Sequence, residues 1–267
     1  MGGRGLRWLL RITSAAVLTF LYVPLVMVVL NAFNKDQVVS WPPSLFTTSW
    51  FTVAWHNPNL RQPFVNSFII GILATLIALT LGTLASFAMA RARFFGRDTI
   101  SFALVLPIAF PGIVTALALS SMVDAMPGLN FGIPAIIIGH ATFCVVVVFN
   151  NVVARLRRTS GSIIEASMDL GADGVSTFRY VTFPAIRTAL LAGGLLAFGL
   201  SFDEIIVTIF TAGAGTQTIP LWIYSAIQKP AELPVVNVVA LVLVLLSIIP
   251  VYIAQRLSGE ASRSAGF

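Results

Sequence analysis

Apolar residues in this chain gather into long blocks, and polar residues sit in short flanks between them. The blocks cover about 12–33, 65–90, 99–123, 133–153, 188–211 and 236–256. At 1.5 Å per helical residue, a run of about twenty crosses roughly 30 Å of hydrocarbon. Lipid offers no water to satisfy amide groups, so each block must close its own backbone hydrogen bonds as a helix. The pattern predicts an all-α integral membrane protein with six transmembrane helices forming a single transmembrane domain over 1–267. The first block exceeds a secretory-signal core, and no small-residue cleavage site follows it, so it is expected to remain as an anchor. Hydrophobic residues make up 57% of the chain and charged ones 10%, a balance that excludes a soluble globular domain.

Three departures from plain hydrophobic helix stand out. The third block carries Pro107, Pro111 and Gly112. Proline removes a backbone donor and clashes with the preceding turn, which predicts a kink or break. Such a kink either lines or gates a pathway, or serves helix packing alone. Pro24 and Pro250 are weaker cases. In the fifth block Gly193, Gly194 and Gly199 are expected to permit close helix approach. The loop 34–64 holds Trp41, Trp50, Phe51, Trp55, Pro42, Pro43 and Pro58. That density of aromatics beside a span suggests a segment at the headgroup level, either an interfacial lid or a partner contact.

Charge sets the orientation. Thirteen of the sixteen Lys and Arg residues flank the blocks on one side, and Lys35, Arg61 and Lys229 lie on the other. The positive-inside rule therefore puts both termini and the 154–187 loop in the cytoplasm. The net charge of +6 is a topology signal spread over separate flanks, which leaves nucleic-acid binding unsupported. Cys144 is the only cysteine and lies four residues after His140. A metal site would need a third ligand, and none is near in sequence. A packed Cys and a hydrogen-bonded His are expected.

The 154–187 loop contains Glu165-Ala166-Ser167-Met168-Asp169-Leu170-Gly171 and then Val181-Thr182-Phe183-Pro184. Ser160 or Ser162 is suited to cap a helix starting near Ile163, with Glu165 in its first turn. Gly171 suits a left-handed stop. A second helix is expected from about Gly174–Ser176 through Phe178, Arg179 and Tyr180 toward Pro184. The product is a rigid helix–turn–helix elbow, a docking surface for a soluble partner. An ATP-binding P-loop needs a Gly-Lys-Ser/Thr turn, and neither Lys35 nor Lys229 provides one.

Asp203 and Glu204 interrupt the fifth block. Fifteen residues beyond Thr188 is about 22 Å along a helix, which puts Asp203 in the outer half of the bilayer. An acid near the hydrocarbon centre costs about 3 kcal/mol. On one continuous helix the two side chains would point about 100° apart. Two readings stand. The pair, with Phe198 and Phe202 beside it, lines an aqueous path for a positively charged organic solute, or it forms a gate or subunit interface held by hydrogen bonds.

The loop resembles the EAA loop of ABC importer permeases: E-A-A, three residues, Gly, nine residues, then I-x-L-P. Here Ser167, Val181 and Phe183 stand for Ala, Ile and Leu, while Glu165, Gly171 and Pro184 keep their spacing. Ser201-Phe202-Asp203-Glu204-Ile205-Ile206-Val207-Thr208, then Phe210-Thr211-Ala212-Gly213 and Ile219-Pro220-Leu221-Trp222-Ile223-Tyr224-Ser225, are similar to the spermidine/putrescine permease subfamily. The resemblance implies a non-catalytic permease of the type I ABC importer fold in a bacterial inner membrane. Glu165, Ala166, Ser167, Asp169, Gly171 and Pro184 would meet a separate ATPase subunit that uses ATP and magnesium. It also implies a second homologous permease, an external binding protein and a polyamine substrate, with another amino-compound (opine-like or aminophosphonate) as the alternative. This chain would bind no cofactor. A secondary transporter or channel using Asp203 and Glu204 as a relay leaves the loop spacing unexplained. An intramembrane hydrolase lacks a Ser partner for His140 at helical spacing.

Overall fold

The computed structural model describes residues 3–36, 42–43, 45–92 and 94–263. Trp41 and Arg93, named or counted above, lie outside them. Among the described residues every regular element is a helix, and the one extended pairing is a bridge between Asn34 and Phe46. Among the described residues, five helices are long and apolar enough to cross a membrane, or six if one bent pair is a single span.

The chain divides into two compact units. One comprises Met1–Leu60 and Trp222–Leu246. It contains α1 (Gly3–Phe33) and α2 (Ser49–His56). The loop after α1 is tied back to it: Lys35 N donates to Leu45 O at 2.9 Å, and Trp50 Nε1 donates to Asn34 O at 2.9 Å. Trp50, Phe51 and Ala54 of α2 pack around Ala32, Val238 and Leu241, while Trp55 is 86% exposed. Within the aromatic loop, Ser49–His56 is thus a short helix with one packed face. An exposed indole suits the headgroup region.

The second unit comprises Arg61–Leu221 and Ser247–Phe267. It holds most of α3 (Pro58–Arg91), then α4 (Arg97–Ala109), α5 (Gly112–Ala125) and α6 (Ile133–Arg158). The elbow follows with α7 (Gly161–Asp169) and α8 (Gly174–Thr177), and then α9 (Phe183–Phe202) and α10 (Ile206–Thr211). The remaining helices, α11 (Ile219–Ala226) and α12 (Leu233–Arg263), each run across both units. Pro24 inside α1 and position 250 inside α12 leave those helices unbroken.

Most enclosed of the long helices is α6. Its Phe143, Cys144, Val148, Val152 and Leu156 join Ala78, Ile186 and Ala197 in the main core. Small residues set these distances. A Cβ on Gly82 of α3 would lie 2.9 Å from Val145 O and 2.9 Å from Val148 Cβ, and one on Gly193 of α9 would lie 3.3 Å from Val148 Cα. Gly194 abuts Leu79, whereas Gly199 faces open space, so only two of the three expected fifth-span glycines act in close approach.

The third span breaks as its prolines predict: α4 and α5 meet at 104°. Phe110 is extended at φ −76°, ψ 148°, and Pro111 caps α5 at φ −54°. A residue before proline is pushed out of the α region, which ends the helix there. The fifth span departs from the expected continuous helix over 188–211. It begins earlier, as an apolar helical run over Gly174–Phe202, and stops at Asp203, and only α10 continues beyond.

Gly82→Leu should force α3 and α6 apart and destabilise the protein by about 1–3 kcal/mol, whereas Gly199→Ala should be neutral. Thermal unfolding of the detergent-purified protein checks this: Gly82→Leu lowers Tm by several degrees and Gly199→Ala leaves it in place.

Candidate functional site

The elbow is built from local chemistry. The Ser160 side chain accepts from Ser162 N and caps α7. The helix starts at Gly161, two residues earlier than the sequence suggests, so Glu165 falls in the second turn. At the other end Gly171 takes φ +88°. Gly171 N donates to Met168 O at 2.9 Å and Ala172 N donates to Ser167 O at 3.1 Å. That paired 5→2 and 6→1 pattern is a Schellman turn. Asp173 Oδ1 then accepts from Ser176 N at 2.7 Å and caps α8. Hydrogen bonds from the Ser176 hydroxyl and amide hold the Asp173 carboxyl below its ordinary range. A depressed carboxyl contributes its cap above the unfolded-state value and loses it only as pH falls through the lowered one.

Glu165, Ala166, Asp169 and Gly171 are all exposed on this elbow. Ser167 instead turns inward, its Oγ 3.2 Å from Thr177 Oγ1, and ties the two helices together. Leu170 is 89% exposed and Val175 75%. Two bare aliphatic side chains beside two carboxylates form a surface suited to a protein partner. Pro184 is exposed but stands apart, in the first turn of α9. The second arm of the elbow does not end there. The segment Phe178–Thr182 is a π turn with Phe183 N donating to Phe178 O, five residues back. Pro184 lacks a donor, and the wider turn carries the chain past it without a broken helix. Arg155 Nε of α6 donates to Ala185 O at 2.8 Å and braces this root.

The second candidate lies where α9 stops. Phe202 is the last helical residue, and Asp203 is its C-cap. Asp203 is exposed, and its carboxylate makes no hydrogen bond or ion pair among the described residues. Glu204 has a different role: its Oε1 accepts from Val207 N at 3.0 Å, closing the N-terminus of α10. The two acids are therefore separated by unwinding of the chain rather than by rotation around a helix. Gly112, just past the break in the third span, lies against Ile206, just past this one.

Phe198 and Phe202 stack at 5.5 Å, and Phe68 of α3 meets them at 6.0 and 5.0 Å. Phe64 extends the cluster at 5.0 Å from Phe68. A Cβ on Gly71 would lie 3.0 Å from the Phe198 ring, so the glycine lets that ring sit against α3. Sequence reasoning paired Phe198 and Phe202 with the acids but missed Phe64 and Phe68. Their four-residue spacing at the start of α3 was the available signal.

His140 is hydrogen-bonded as expected, but its partners were not foreseen. The imidazole is 1% exposed. Its Nδ1 lies 2.8 Å from Ser201 Oγ and its Nε2 lies 3.0 Å from Thr208 Oγ1. Thr208 Oγ1 donates to Glu204 O at 3.0 Å, so it accepts from His140 Nε2–H, and Ser201 donates to Nδ1. A Ser–His contact thus exists after all, contributed by another helix. Ser201 is 3% exposed and the second ring nitrogen meets a hydroxyl, an arrangement closed to a substrate carbonyl and without the carboxylate that orients a hydrolytic base. Cys144 Sγ donates to Ala197 O at 3.3 Å inside the core.

The glycine-containing turn beyond α10 is stitched to α3. Asn66 Nδ2 donates to Gln217 O at 2.8 Å and Ile219 N donates to Ser67 Oγ at 2.9 Å.

Residues 78–261 match the family of binding-protein-dependent transport system inner membrane components. The spermidine/putrescine transport system permease protein PotC of Haemophilus influenzae is 31% identical over 243 residues, 91% of this chain and 93% of that protein. The putrescine transport system permease protein PotI of Escherichia coli is 32% identical over 229 residues, 83% and 80% of the two chains. A chain from the crystal structure of a bacterial alginate ABC transporter, in complex with a periplasmic protein bound to an alginate pentasaccharide, superposes with a TM-score of 0.73. It is 16% identical and covers 95% of this chain and 93% of its own, a likeness of fold.

Gly171→Val should unravel the elbow turn, because a β-branched residue at positive φ costs about 1–2 kcal/mol. Amide hydrogen exchange over 168–177 is expected to rise about tenfold while membrane insertion stays intact. Gly171→Asn, which tolerates the left-handed region, should change it far less.

Proposed function

The chain belongs to the family of binding-protein-dependent transport system inner membrane components, and from that premise we propose that it forms the path for a small organic cation of the polyamine class. The observation that carries the reading is Asp203: an exposed carboxylate at a helix break, without a hydrogen bond or ion pair among the described residues, directly after Phe202 of the Phe68, Phe198 and Phe202 ring cluster. A carboxylate attracts an ammonium group, and ring faces stabilise the same charge where water is scarce. An alkyl diamine adds methylenes that fit an aromatic wall. The names of PotC and PotI, both tied to putrescine transport, support the same solute class.

The remaining parts follow from this assignment. The elbow over 154–187 faces the cytoplasm with both termini, in accord with the thirteen-to-three split of basic residues. Glu165, Ala166, Asp169, Gly171 and Leu170 meet a separate ATPase subunit, which binds and hydrolyses ATP with magnesium. A second permease completes the path, and an external binding protein delivers the solute. ATP binding and hydrolysis shift the population between outward-facing and inward-facing states. This chain performs no covalent chemistry.

Deleting the chain should abolish uptake of labelled putrescine or spermidine in cells lacking other polyamine importers. Excess unlabelled diamine should compete, and neutral or anionic solutes should not. Persistent uptake, or competition by neutral solutes, contradicts the reading. Asp203→Asn should lower uptake about tenfold or more, since a charge pair a few ångströms apart is worth roughly 1–4 kcal/mol between bulk water and a protein surface. Recovery of the assembled importer should be unchanged, and equal loss of assembly would make Asp203 an interface residue.

A further inference from the structure

We infer that His140 is a positioning residue for transport, a clasp that holds the fifth span unwound so that Asp203 stays presented to the aqueous path. The inference rests on the proposed cation path through Asp203. Ser201 lies at the end of α9 and Thr208 inside α10, and the break at Asp203–Ile205 separates them. His140 is the one residue, among those described, whose side chain hydrogen-bonds side chains on both sides of that break. In an uninterrupted helix, residues seven apart would be about 10.5 Å apart along the axis. Here one imidazole ring joins their hydroxyls, at 2.8 and 3.0 Å.

The clasp is held firmly. His140, Ser201 and Thr208 are 1%, 3% and 0% exposed, and hydrogen bonds shielded from water are stiff and costly to lose. At the preceding position a Cβ on Gly139 would lie 2.6 Å from Val207 Cγ1, so the backbone of α6 already abuts α10. The chain of bonds continues to the acids. Thr208 Oγ1 donates to Glu204 O, and Glu204 Oε1 caps Val207 N. Removing the ring leaves the Ser201 hydroxyl without its imidazole partner and Thr208 with only its bond to Glu204 O, and the two sides of the break lose the side chain that joins them. Among the described residues Asp203 has no side-chain partner to keep it in place.

The test reads the position of residue 203 directly. Membrane vesicles carrying the assembled importer with Asp203→Cys are treated with a small cationic methanethiosulfonate, and the labelling rate at 203 is measured. A chain retaining only buried Cys144 supplies the background. His140→Leu should slow labelling about fivefold or more, the scale of one to two buried hydrogen bonds. Thr208→Val, close in shape but without the hydroxyl, should slow it by a similar factor. His140→Asn, which keeps a polar group toward one side, should fall between. An unchanged or faster rate in Thr208→Val and in any assembled His140 variant overturns the clasp. If His140→Leu fails to assemble, Thr208→Val decides alone. The polyamine reading is scored separately: putrescine should protect the 203 thiol in the otherwise unaltered importer. Absence of protection, with labelling still sensitive to Thr208→Val, counts against the substrate and leaves the clasp standing.

Discussion

A backbone amide or carbonyl in hydrocarbon must find a partner within the protein, and this constraint governs the rest of the structure. Long helices satisfy it automatically, so every break needs its own compensation. At the third-span break proline does part of the work by having no amide to satisfy, since Pro107 and Pro111 bracket the extended Phe110. At the fifth-span break side chains do it. Glu204 Oε1 takes the Val207 amide, Thr208 Oγ1 takes the Glu204 carbonyl, and His140 holds the two hydroxyls on either side. An acid pair that looks expensive in a bilayer divides into one residue that repairs the backbone and one whose carboxylate has no partner among the described residues. The breaks also meet, through Gly112 and Ile206.

Because the constraint favours unbroken helix elsewhere, the elbow and the break share one element. From Gly174 to Phe202 the chain is a single helical run whose only irregularity is the π turn at Phe178–Thr182. Its root beside the elbow is braced by Arg155 on Ala185 O, and its other end is held by His140 on Ser201. Both braces come from α6. The elbow and the residue before Asp203 are therefore joined by one helical run that is tied to α6 near both ends. Gly193 against Val148 allows the close contact between that run and α6.

Much of this was legible in the sequence. Apolar block length predicted the helices, and the Pro107–Gly112 cluster predicted the bent span. The serine caps at Ser160 or Ser162 and the stop at Gly171 predicted an elbow, whose Gly171 has the left-handed backbone anticipated for it. What escaped notice has physical reasons. The π turn carries the helix through Pro184, so proline read as a stop was only a change of register. Phe202 to Ile206 contains neither Pro nor Gly, so periodicity could not find the second break. The break is made by tertiary bonds to His140, and a lone buried histidine gives no sign of its partners sixty residues away. Gly199 was grouped with its neighbours by composition, but its direction on the helix faces open space.

The most direct measurement is transport by the purified importer in proteoliposomes, with loaded binding protein outside and ATP trapped inside. Putrescine accumulation should require internal ATP and hydrolysis, and should persist when proton and sodium gradients are collapsed. Accumulation driven by an ion gradient without ATP would contradict this and make the acid pair an ion relay.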